Sequence, residues 1–124
     1  MARTRFRIRW LEAPEEHDYP AALSYLKLSY PAKMAKQLVS KLEGARVTEY
    51  KAKDIVRSSG LSLLGISNSH VEKDQRKIAT GTALSPVLLV RDPARGAVII
   101  ADGYHPLCAV YSHDDDAIIP CKIV

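Results

Sequence analysis

The sequence is poor in cysteine and in aromatic residues: among 124 residues there are two cysteines, one phenylalanine and one tryptophan. No apolar run approaches the roughly 20 residues that cross a bilayer as a helix, and the N-terminus lacks a signal-peptide apolar core. These absences exclude disulfide-scaffold, collagen-like and helical membrane classes and lead to the expectation of a cytoplasmic protein with no membrane partner. Cys108 and Cys121 form no CxxC pair. His17, His70, His105 and His113 are not spaced to complete a four-ligand zinc site, so no metal centre is expected. Both thiols are expected to be small, buried, apolar side chains.

What is present is an ordinary balance, 47% hydrophobic and 26% charged, enough for one domain with a modest core. The net charge of +4 comes from one place. Arg3, Arg5, Arg7 and Arg9 account for four of the 18 basic residues, and the remaining 14 match the 14 acidic ones. The chain therefore divides into a basic arm over 1–10 and a single domain over 11–124. In the arm, arginine alternates with Thr4, Phe6, Ile8 and Trp10, a period that suits a strand with one basic face or else a flexible tail.

The acidic stretch 11–20, with two prolines, reads as a loop. Apolar spacing predicts a helix over 21–30, then a second in which Met34, Ala35, Leu38, Val39 and Leu42 share one face and Gly44 is the stop. A short strand over 47–52 and a short helix over 53–59 follow, the latter ended by Gly60, with a loop over 61–68. Ser69 with Glu72 forms a capping-box pattern for a helix to about Thr80, with Val71, Gln75, Ile78 and Ala79 inward and Gly81 beyond. The runs 87–90 and 97–101 predict a hairpin of strands buried on both faces or nearly so. A buried helix over 107–111 and a last strand over 118–124 complete a small α+β domain with a mixed sheet.

The candidate site is the junction Asp102-Gly103-Tyr104-His105. A strand passing through a glycine turn into a helix presents free helix N-terminal N–H groups, which attract anions. Asp102 and His105 add ionisable groups beside them. A purely structural role is the bland alternative: Asp102 caps the helix and His105 lies on its surface.

From Ser85-Pro86-Val87 through Asp102-Gly103-Tyr104-His105, Leu107-Cys108-Ala109-Val110-Tyr111 and Ile119-Pro120-Cys121-Lys122-Ile123-Val124, the chain resembles the ParB/sulfiredoxin superfamily. Sulfiredoxins carry Gly-Gly-Cys-His-Arg at this turn and an Ile-Pro-Ala-Lys strand after it. Some small-molecule kinases of the fold carry Asp-Gly-His-His-Arg. The resemblance covers about 47–124 and implies a ParB/sulfiredoxin-like core with N-terminal helices added. It further implies a nucleotide, ATP or CTP with Mg2+, whose phosphates meet Gly103, Tyr104 and His105 and the preceding helix with His70, Lys73 and Lys77. Asp102 and His105 are then the candidate catalytic residues of a phosphotransfer reaction.

Two departures bear on activity. Tyr104 stands where sulfiredoxin has its cysteine, which excludes that thiol chemistry. Pro106 stands where the family has an arginine, so the fold survives but a bidentate phosphate contact is lost. Two alternatives remain. One is a nucleic-acid-binding or nuclease-like module using Arg3, Arg5, Arg7 and Arg9 with the basic segment 27–57. The other is a non-catalytic partner-binding domain. His113 with Asp114, Asp115 and Asp116 is a minor metal alternative, more simply a solvated turn. The apolar last strand could be central or could pair in a homo-oligomer.

Overall fold

The computed structural model describes residues 7–63 and 68–124. These residues form five helices and a four-stranded mixed sheet: α1 (Asp18–Leu26), α2 (Ala32–Gly44), β1 (Thr48–Lys51), α3 (Ala52–Ser59), α4 (Ser69–Thr80), β2 (Val87–Asp92), β3 (Ala97–Asp102), α5 (Tyr104–His113) and β4 (Ile118–Ile123). The strand order is β1-β4-β2-β3. The predicted hairpin β2–β3 is present, antiparallel, and β4 lies inside the sheet, parallel to β2 and antiparallel to β1. That settles the position of the last strand: Val87 pairs with Cys121 and Leu89 with Ile123.

The apolar run of β2 is explained by burial on both faces. Val87 and Leu89 enter a core with Ile55, Val71, Ile78, Leu107 and Ile119, beneath α3, α4 and α5. Leu88 and Val90 point the other way, into a second core with Ala22, Leu26, Ala35, Val39 and Leu42 of α1 and α2. Side chains alternate across a strand, so a continuous apolar sequence requires a cover on each side. Here the N-terminal helices supply one cover. Lys122 of β4 ties that layer down: its Nζ donates to the Glu43 carbonyl at 2.9 Å, near the end of α2, and stands 5.5 Å from the centre of the Tyr19 ring.

Several local expectations shift. The first helix begins at Asp18 and ends at Leu26, earlier than its apolar spacing suggests. Met34 is exposed on α2, while Ala35, Leu38, Val39 and Leu42 turn inward. Gly44 belongs to the last turn of α2 and has no positive φ, so the stop comes with the extended Ala45. For α4 the cap is Asn68 rather than Ser69: its Oδ1 accepts from the His70 and Val71 N–H groups at 3.0 and 3.3 Å. Asparagine is as good an N-cap as serine, and the register moves back by one. Ala79 is exposed, and the buried polar residue of that helix is Asp74. Of the arm, Arg3 and Arg5 lie outside the described residues. Arg9 to Leu11 pair with Leu84, and Ile8 and Trp10 pack on the larger core while Arg7 and Arg9 face out. No helix among the described residues is long and apolar enough to cross a membrane.

If α1 and α2 are integral to the domain, the two faces of β2 carry similar stability. Leu88→Ala and Leu89→Ala are each expected to cost about 2–5 kcal/mol in urea unfolding. A near-zero cost for Leu88→Ala alone would show that the N-terminal layer contributes little.

Candidate functional site

The turn between β3 and α5 is shaped by two backbone features. Leu88 pairs with Asp102 but Leu89 pairs with Ile100, which leaves Ala101 as an extra residue in β3. Such a bulge bends the strand and re-aims the side chain that follows, here Asp102. Gly103 then takes φ +100 at the N-cap of α5, with its Cα packed on Val87. A Cβ at this position would lie 3.1 and 3.2 Å from the Val87 methyls and 3.3 Å from its Cα. Glycine is therefore required by both torsion and space, and the strand passes into the helix without a loop. The first-turn N–H groups of Tyr104 and His105 have no intrahelical acceptor and face outward from this end.

Two cavities flank the turn and share Asp102, Gly103, Tyr104 and His105 as a common wall. One, about 200 Å³, is polar and is lined also by Glu15, His17, Asp18, Asp74, Lys77 and Pro106. The other, about 400 Å³, is more apolar and is bounded by Ala21, Tyr25, Leu61, Ile100 and Ala101. The more apolar one alone falls within the roughly 300–1,000 Å³ usual for small-molecule sites.

The structure brings most of the sequence-predicted residues to this place. The His105 ring is 4.8 Å from that of His70 on α4 and 5.7 Å from that of Tyr104. Lys77 shares the polar cavity with His105. Lys73 is exposed on α4, close enough to act electrostatically on Asp74. Gln75, also on α4, donates to the Ala109 carbonyl at 2.7 Å and holds α4 against α5. The Tyr104 hydroxyl donates to the Ser62 carbonyl and so ties α5 to the segment that follows α3. Both cysteines are free and buried, and burial pushes the Cys121 thiol up to about 11. Neither is presented as a nucleophile.

Four groups in the polar cavity are absent from the sequence-based site: Glu15, His17, Asp18 and Asp74. Asp18, at the start of α1, is only 5% exposed. Its Oδ2 accepts from the Glu15 N–H at 2.9 Å, and its Oδ1 lies 3.3 Å from His17 Nε2, which is also 2.9 Å from Glu15 Oε2. His17 thus has two acidic partners, and these three residues place one ligand atom each within 4.8 Å of the others. The Asp102 carboxyl lies close enough to Asp18 to feel its charge. Burial first, and then the Asp18 charge, push Asp102 up to about 6, against opposing pulls from His17 and the Gly103 N–H. Burial also raises Asp74 above the usual carboxylate range, opposed by Lys77, His105, Lys73 and His70.

The remaining candidates lie elsewhere. Asp116 pairs with Lys53 at 2.8 Å and Asp114 accepts from the Asp116 N–H, so the acidic turn is bound up in local contacts. Arg7 and Arg9 border a groove against the C-terminal end of α4. Compared with protein-family models, curated proteins and solved structures, the chain matches none.

Two outcomes check this geometry. Gly103→Ala should cost about 1–3 kcal/mol through strain and the Val87 contact, more than Gly96→Ala, whose Cβ would meet open space. Equal losses would place the constraint elsewhere. For Asp102 the folded-state value lies above the ordinary carboxylate value of 3.8, so its protonated form is favoured by folding. That contribution is present in full below about pH 4 and is lost as pH rises through about 6. In chelator-treated protein, Asp102→Asn should gain in Tm relative to the parent chain between pH 4.5 and 7.5. A difference independent of pH would show that the Asp102 carboxyl is not held protonated by the fold.

Proposed function

We propose that the chain is a ParB/sulfiredoxin-like nucleotide-binding domain that holds phosphates at the N-terminus of α5 and supports phosphoryl transfer. The observation that carries this reading is the meeting of α4 and α5 across one cavity, with Lys77 and His70 brought to His105 and the free N–H groups of Tyr104 and His105. An anion there gains from the helix dipole, from backbone donors and from an ammonium point charge together. The neighbouring apolar cavity, with Tyr25 and Leu61, suits the base and sugar of ATP or CTP on the far side of the same turn.

Asp102 provides the reactive group in this reading. A carboxyl whose proton is released near pH 6 is suited to accept the proton of an attacking hydroxyl, because a general base works best when its pKa lies near the working pH. His105 and Lys77 carry the charge that develops on the transferred group. Pro106 borders the cavity and donates no N–H, so this site has a weaker grip than one with an arginine at that position.

Calorimetric titration of the full chain with ATP and CTP, with and without magnesium, tests the reading. Saturable binding is expected, weakened about 10- to 100-fold by Lys77→Ala or His105→Ala and strengthened by Pro106→Arg. Gly103 is unsuitable as a probe, since a side chain there strains the fold itself. Absence of binding by every nucleotide under every condition, in the Pro106→Arg variant as well, would overturn it.

A further inference from the structure

The geometry points to a pocket for a free aliphatic α-amino acid between α3 and the sheet, at the hairpin end of β3 and away from Gly103. It shares no lining residue with the two cavities beside the turn, so it stands whether or not those take a nucleotide.

Strand register makes the floor. Leu89 of β2 pairs with Ile123 of β4, and Arg91 of β2 pairs with Val98 of β3. Alternation along β2 puts all four on one face of the sheet, the face that α3 covers. The helix covers it with Ala52 and Ile55, its two buried residues, and ends at Gly60. A cavity of about 200 Å³ is left between Ile55 and the three apolar strand residues. That volume is below the roughly 300–1,000 Å³ of sites for drug-sized molecules, so the occupant is small.

The rim supplies the chemistry. Around the apolar floor stand the Asp54 carboxylate, the Ser58 and Tyr50 hydroxyls and the Arg91 guanidinium. Among the described residues none of these four groups has a hydrogen-bond or ion-pair partner, and Asp54 and Arg91 do not pair with each other. Their chain neighbours differ: Lys53 pairs with Asp116 at 2.8 Å, and Asp92 takes Arg95 at 2.8 Å. One charge of each sign is thus left open at the edge of one apolar cavity.

Charge complementarity selects the ligand. A guanidinium binds a carboxylate through two parallel N–H donors, and a carboxylate accepts from an ammonium group. A simple carboxylic acid would satisfy Arg91 but bring a like charge to Asp54. A simple amine would do the reverse. A zwitterion with an aliphatic side chain meets both charges and covers the floor, and a free α-amino acid has that chemistry at that size.

The test is a calorimetric titration of the full chain with L-leucine, compared with 4-methylpentanoate, leucinamide and glycine. Saturable leucine binding is expected. The three other probes lack in turn the ammonium, the carboxylate and the side chain, and each should bind at least about tenfold more weakly. Arg91→Gln and Asp54→Asn, both at exposed side chains, should each weaken leucine binding at least about tenfold with unchanged Tm. Arg95→Gln removes the same charge from the hairpin turn outside the pocket and should leave the affinity unaltered. No saturable leucine binding, or binding that survives both Arg91→Gln and Asp54→Asn, would overturn the inference. So would any one of the three probes binding as tightly as leucine, because the group it lacks would then play no part.

Discussion

Burial of β2 on both faces is the constraint from which the rest of the molecule follows. Four consecutive apolar residues cannot face water on either side, so a layer of helices must close each face of the sheet. Leu107 and Ile119 close one side with α3, α4 and α5, and α1 and α2 close the other through Leu26, Val39 and Leu42. Because α1 is held there, Asp18 at its start reaches the end of β3, where Asp102 emerges. The packing requirement of the sheet thus assembles a carboxyl pair from residues 84 positions apart in the chain.

The same strand sets the entrance to α5. Gly103 packs its Cα on Val87, leaving no room for a side chain, and the helix starts at the next residue. The bulge at Ala101 aims Asp102, and Asn68 fixes the start of α4 so that His70 and Lys77 come round to His105. Anion-attracting groups therefore come from the side of α4 and α5, and cation-attracting groups from the side of α1. Groups of both kinds line one polar cavity beside the turn.

Much of this was legible in the sequence where the signal is local. The hairpin, α4, the glycine stops at Gly60 and Gly81 and the strand-turn-helix at 102–105 follow from periodicity and turn chemistry. That His70, Lys73 and Lys77 face His105 is an expectation from the resemblance alone, not from any local signal in α4. What stayed hidden depends on long-range contact. The run Glu15-Glu16-His17-Asp18 reads as an acidic loop, and nothing within it says that Asp18 is buried against Asp102. Asp74 falls at a position that helical phase allows to face inward, but a carboxylate there is normally assigned to solvent. Met34 fits the apolar phase of α2 and is nonetheless exposed. A density of titratable groups immediately before a helix was the available signal for the missed half of the site.

The central claim is that the two halves act on one ligand. Backbone amide resonances of the full chain, followed as Mg2+ and ATP are added, test it most directly. The account predicts concerted shifts in three segments that are distant in sequence, 15–19, 70–77 and 102–107, with a common saturation curve. Shifts confined to residues 7–10 and to α2, or shifts in 102–107 with 15–19 unmoved, would contradict it.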